Sequence, residues 1–192
     1  NRYWIFVALV VGAHCIAACF TVWYYPIVGV EEPGYTVLGY NWAMKVAMIN
    51  EFYKECDYGG WAANVHTKIT WPPLYAYFTK LFLSVFPYDL IYLRLLSAAL
   101  GALFLVAFAY FALSIHDHIT ALLALASIAG NIVFRFISQE ARPDIWVALC
   151  AMMVYACLLK FHEGKARRYL YGGAALAALA LLLHLFGIVV LS

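Results

Sequence analysis

"KFHEGKARR", residues 160–168, places Lys160, Lys165, Arg167 and Arg168 in one short break between two long apolar runs. Cations gathered beside hydrophobic segments mark the cytoplasmic face of a membrane protein, because short loops rich in Lys and Arg are retained on that side. Composition shows that a membrane is involved. The chain is 67% hydrophobic, 18% aromatic and 11% charged. Several of its apolar runs exceed the roughly 20 residues that a helix needs to cross a hydrocarbon core about 30 Å thick. Only helices and closed barrels satisfy their own backbone there, and uninterrupted apolar runs of this length specify helices. The expected fold is therefore all-α, a polytopic transmembrane bundle.

Apolar runs cover residues 3–25, 71–87, 89–115, 119–138, 145–161 and 169–192. With the basic loop inside, 145–161 descends from outside and "QEARPD", residues 139–144, is external. Then 119–138 ascends, "HDH" at 116–118 is internal, and 89–115 descends. Arg2 keeps the start of the first run inside, so everything from about residue 26 to 88 is external. That holds only if 71–87, which carries Lys80 near its middle, does not cross. A helix at the interface, with Trp71, Tyr75 and Tyr77 near the headgroups, satisfies both charge and length. About five spans are expected, with interfacial and amphipathic helices in the external loop, one of them over residues 34–55.

The chain begins at Asn1 and ends at Ser192 within an apolar run, so it is expected to be the N-terminal part, residues 1–192, of a longer transmembrane domain. Cys15, Cys19, Cys56, Cys150 and Cys157 form no CxxC pair, and four of them lie in apolar runs. They are expected to pack as small apolar residues, with no disulfide framework or zinc site. "IAAC" at 16–19 is followed by "FTVWYY", apolar rather than a polar tether, so the first segment is read as a retained anchor. A net charge of +2 without a basic stripe excludes nucleic acid as a partner. No HExxH and no glycine-rich phosphate loop occurs.

Chemistry-bearing residues gather on the external side. Glu31 and Glu32 follow the first span, while Glu140, Arg142 and Asp144 share the second external loop, 139–144. Carboxylates brought to one rim by separate helices can act as a general base or hold a divalent cation. Arg94 and Arg135 lie near the external ends of their spans, where an arginine either snorkels to the interface or binds a phosphate. His184 lies deep in the last run, towards the outer half.

The order "EEPGY", "WPPLYAYF", "YLRLLSAALG", "QEARPD" and a Gly/Ala-rich span resembles the GT-C type membrane glycosyltransferases. Nearest are the protein O-mannosyltransferase-like proteins, the aminoarabinose transferases of lipid A modification and the rhizobial lipopolysaccharide sugar transferases. The resemblance implies a polyprenyl-phosphate sugar donor, a lipid or protein acceptor, and inverting transfer to a hydroxyl on the outer face. It implies residence in the cell (plasma) membrane or, alternatively, the endoplasmic reticulum membrane, with no certain cofactor. In such proteins an Asp-Glu pair supplies the base. Glu31 and Glu32 stand there, with Tyr35 following. Asp144 matches the acid of the second external loop, with Arg142 at the customary distance. Arg94 matches the arginine that opens the second span, and His184 a basic residue suspected of touching the lipid phosphate. A secondary transporter or a non-catalytic membrane subunit is the rival reading. A transporter predicts repeated halves and helices interrupted near midplane.

Overall fold

The computed structural model describes residues 2–24, 73–86, 90–164 and 166–184. These form α1 (Arg2–Tyr24), α2 (Pro73–Leu83), α3 (Leu90–Ile115), α4 (His118–Gly130), α5 (Ile132–Ile137), α6 (Asp144–Gly164) and α7 (Arg167–Leu183). The protein is an all-α membrane bundle. Three helices are long and apolar enough to cross a bilayer: α1 over Arg2–Val22, α3 and α6.

The remaining apolar segments are shorter. α2 has 11 residues, about 16 Å at 1.5 Å per residue, and cannot cross. Pro73 occupies its first position, where a missing N–H costs nothing. The expected continuous run over 119–138 is corrected to two helices. Asn131 leaves helical geometry at φ −70° and ψ 127° and serves both neighbours. Its N–H donates to the Ile128 carbonyl at 3.0 Å, ending α4. Its Oδ1 accepts from the Val133 and Phe134 amides at 2.8 and 3.2 Å, starting α5. A short amide side chain that competes for backbone groups has broken an otherwise unbroken apolar run.

α3 sits at the centre, against α1, α4 and α6. Its buried residues Arg94, Ser97, Gly101, Leu105, Ala109 and Ala112 recur at helical spacing along one side. Lower down, Leu105 and Ala109 join Val7 of α1 and Ala121 and Leu125 of α4 in one apolar core. Tyr3 closes the end of that core by donating its hydroxyl to the Ala109 carbonyl at 2.7 Å. α4 begins on Asp117, whose Oδ1 accepts from the amides of Ile119 and Thr120 at 2.9 and 3.1 Å.

α6 and α7 form an antiparallel pair across the basic loop. Gly173, Ala177 and Ala180 are the buried side of α7, and such small residues let two helices approach closely in a membrane. The pair is capped at the far end by α2. Tyr75 packs with Val147 and Cys150 of α6 and Ala180 and Leu183 of α7, and Phe78 stacks on Trp146 with centroids 5.2 Å apart. One expectation is corrected here. Tyr75 is buried in protein at 5% exposure rather than set among headgroups, whereas Tyr77 faces outward. The four described cysteines are free thiols. The expected amphipathic helix over 34–55 lies outside the described residues.

A candidate site around the 138–144 turn

The end of α5 is built to turn sharply. Ser138 still bonds back to Phe134, but Gln139 and Glu140 both donate to the Phe136 carbonyl, and the Arg142 amide reaches the Glu140 carbonyl at 2.8 Å. Pro143 ends the turn, fully buried, with its carbonyl accepting from Trp146 and Val147. Asp144 is then the first residue of α6, where a carboxylate favours the positive end of the helix dipole.

Within that turn Arg142 joins the two acids. Its Nε donates to Asp144 Oδ2 at 2.8 Å, and its Nη1 lies 3.6 Å from Glu140 Oε2. All three side chains are largely buried, with 17%, 16% and 9% of the Arg142, Asp144 and Glu140 side chains exposed. Two carboxylates brought this close repel, and the guanidinium between them offsets that repulsion while holding both in fixed orientation. The three ionisable groups of this short break therefore form a single bridged unit.

Ser138, where the turn begins, sits lower than the first turn of α3. A Cβ on Gly101 would stand 2.6 Å from Ser138 Cβ, so Ser138 rests directly on α3 at this residue. Gly101 is eleven residues beyond Leu90. At 1.5 Å per residue the start of α3 therefore extends about 16 Å past the level of Ser138. His14 of α1 also reaches this level. Its Nε2 lies 3.0 Å from the same absent Cβ, and its ring is 5.4 Å from that of Phe134.

Arg94 lies nearer the start of α3, buried at 5% exposure on the same side of the helix as Ser97 and Gly101. It does not snorkel outward. Ser97, with Leu93 and Leu96, lines a narrow cleft closed on its other sides by Tyr75, Phe78, Thr79 and Phe82 of α2 and Trp146 of α6. His184 ends α7: its N–H donates to the Ala180 carbonyl at 3.1 Å, and its own backbone is extended at φ −159° and ψ 148°. It is therefore not inside a continuous helix. Leu183 packs in one cluster with Val147 and Cys150, which brings the buried His184 beside the first turns of α6.

Of the residues singled out from sequence, Arg142 and Asp144 are in direct contact, and Arg94 and His184 lie on the two helices that flank the start of α6. Glu31, Glu32 and Tyr35 lie outside the described residues. Among the described residues no three His, Cys, Asp or Glu side chains form a metal-ligand group. Glu140 and Asp144 are both engaged by Arg142, an arrangement that directs them to a cation already supplied by the chain.

Comparison with known families decides the class. Residues 70–192 match the family model described as dolichyl-phosphate-mannose-protein mannosyltransferase. The chain belongs to this family. The matched region contains α2 to α7, hence the whole bridged turn, Arg94 and His184. This member of the family is a GT-C type membrane glycosyltransferase that takes its sugar from a polyprenyl-phosphate donor of the dolichyl-phosphate kind. No curated protein and no solved structure matches the chain.

Sequence reasoning passed over three residues that shape this mannosyltransferase-family site. Gly101 sits in "SAALGAL", a small-residue run of the kind that marks close helix approach, and that signal was available. Ser138 and Asn131 carry no comparable signal, because one polar residue in an apolar run does not disclose which backbone amides it will cap.

Proposed function

We propose that the chain transfers a hexosyl or pentosyl group from a polyprenyl-phosphate donor to a hydroxyl of a protein or lipid acceptor on the external face of the cell membrane, inverting the anomeric centre. Membership of the mannosyltransferase family carries this reading. In the proposed step Glu31 takes the acceptor hydroxyl proton as that oxygen attacks C1. The C1–O bond to phosphate breaks, and its electron pair leaves with the polyprenyl phosphate. A positioned base contributes about 10²–10⁴-fold to such a step.

Glu32 and Asp144 complete the acidic rim, Asp144 held in place by Arg142. Tyr35, Arg94, Arg142 and His184 bind substrate, the cationic ones stabilising charge that grows on the leaving phosphate. A largely buried Arg142 unit at the start of α6 suits a donor whose phosphate must leave water while its lipid tail stays in the bilayer.

The test uses the full-length protein in lipid nanodiscs with mannosyl, glucosyl and arabinosyl polyprenyl phosphates. Glu31→Gln is expected to lower turnover by about 10²–10⁴-fold with an unchanged melting temperature. The product linkage, read by NMR, is expected to have the opposite anomeric configuration to the donor. Retained configuration, or full activity in Glu31→Gln, Glu32→Gln and Asp144→Asn alike, overturns the proposal.

A further inference from the structure

A second group of polar side chains borders the same turn and shares no member with the Arg142 unit. Arg135, in the last turn of α5, is exposed. Among the described residues no carboxylate stands within ion-pair distance of it. Gln139 follows one turn later, and its Nε2 is buried without a hydrogen-bond partner among the described residues. His14, at 6% exposure, packs behind this place from α1, already hydrogen-bonded to the Ala98 backbone.

Each of these observations is costly on its own. A buried donor left without an acceptor costs about 1–3 kcal/mol. An arginine at membrane depth is expensive unless it serves a polar ligand or reaches the interface. Arg135 and the Nε2 of Gln139 together supply donors with no acceptor among the described residues. Their surroundings narrow the ligand further. Ile132, Val133 and Phe136, on the same short helix as Arg135, are 76%, 62% and 52% exposed, an apolar surface suited to acyl chains. A ligand that offers an anionic oxygen beside hydrocarbon is a lipid phosphate, and guanidinium matches phosphate oxygens in geometry and charge.

We propose that Arg135, with Gln139 behind it, binds the phosphate of a membrane lipid against α5, at a site separate from the Arg142 unit. Two lipids supply this chemistry: an anionic phospholipid of the bilayer and the polyprenyl phosphate itself. The site depends on neither the base assignment nor sugar transfer, and its test reads lipid binding directly.

The full-length protein is placed in nanodiscs of phosphatidylcholine alone or with phosphatidylglycerol, and bound lipid is counted by native mass spectrometry. A second arm titrates sugar-free polyprenyl phosphate into the phosphatidylcholine discs. Arg135→Ala is expected to weaken retention in one arm by about tenfold or more, the loss of one charge-assisted contact. The arm that responds identifies the lipid. Arg135→Lys is expected to retain an intermediate affinity, and Gln139→Leu to weaken the same arm. Because Arg135 is exposed, its melting temperature should hold; if Arg135→Ala does not fold, Arg135→Gln is read in its place. Unchanged retention in both arms overturns the proposal, as does equal loss of every lipid regardless of charge.

Discussion

Gly101 of α3 and Ser138 at the end of α5 meet so closely that the Cβ of any other residue at position 101 would lie 2.6 Å from Ser138 Cβ. This contact fixes the start of the turn that carries Glu140, Arg142 and Asp144, and it ties that start to the central helix. His14 closes the same point from α1. Three segments far apart in sequence therefore depend on one missing methyl group.

Gly101→Ala should be the most disruptive small substitution in the described part of the chain. The clash is with Ser138 Cβ, which the backbone holds in place, so α5 has to move. Overpacking of this kind costs about 1–3 kcal/mol. A lower melting temperature in detergent together with lower sugar-transfer activity is expected. Ser138→Gly in the same chain should recover part of both, because it removes the atom that clashes.

Removing Arg142 leaves Glu140 and Asp144 facing each other in a largely buried place without the cation that joins them. Arg142→Ala should abolish measurable transfer and lower stability by about 1–3 kcal/mol, the cost of losing a charge-assisted hydrogen bond in a largely buried place. Arg142→Lys keeps the charge but cannot reach both acids with one planar fork, and should recover stability more than turnover. A melting curve and initial rates for the two variants check this. Equal recovery of both quantities by lysine would contradict the geometric part of the claim.

Asn131 is expected to act through the backbone alone. Asn131→Ala removes the acceptor for the Val133 and Phe134 amides and should cost about 1 kcal/mol, as for other helix caps. Asn131→Asp retains an acceptor and should cost less. Asn131→Leu should favour a continuous helix from α4 into α5, shifting Ser138 off Gly101 and lowering transfer more than Asn131→Ala does.

Asp117 gives the chain one acid-sensitive joint outside its spans. The hydrogen bond from the Thr120 hydroxyl, then those from the Thr120 and Ile119 amides, hold its carboxyl below the ordinary aspartate value of about 3.9. A carboxylate whose folded value is depressed contributes stability that is complete above the unfolded value and lost as pH falls through the folded one. Asp117→Asn can still accept from both amides but does not titrate. The difference in melting temperature between wild type and Asp117→Asn should be constant from neutral pH down to about 4 and should change only below it. A difference that varies between pH 5 and 7 would mean that another group is responsible.

The membrane class, the helical fold and the family were all legible in the sequence. Run length and charge placement are one-dimensional properties: apolar residues must be long enough in succession to cross, and cations are retained where they fall. The non-crossing character of 71–87 followed from the same two quantities, and α2 is indeed too short to span. Arg142 and Asp144, two residues apart, could also be paired by eye. What the sequence did not disclose were the break at Asn131, the inward turn of Tyr75, the extended backbone at His184 and the depth of the 138–144 turn. Each of these depends on which of several equally apolar surfaces meets which, and hydrophobicity alone does not distinguish them. Only the packing of α5 and α1 against Gly101 decided how far below the end of α3 Ser138, where the bridged turn begins, lies, because steric fit between distant segments is fixed by three-dimensional approach and not by the order of residues.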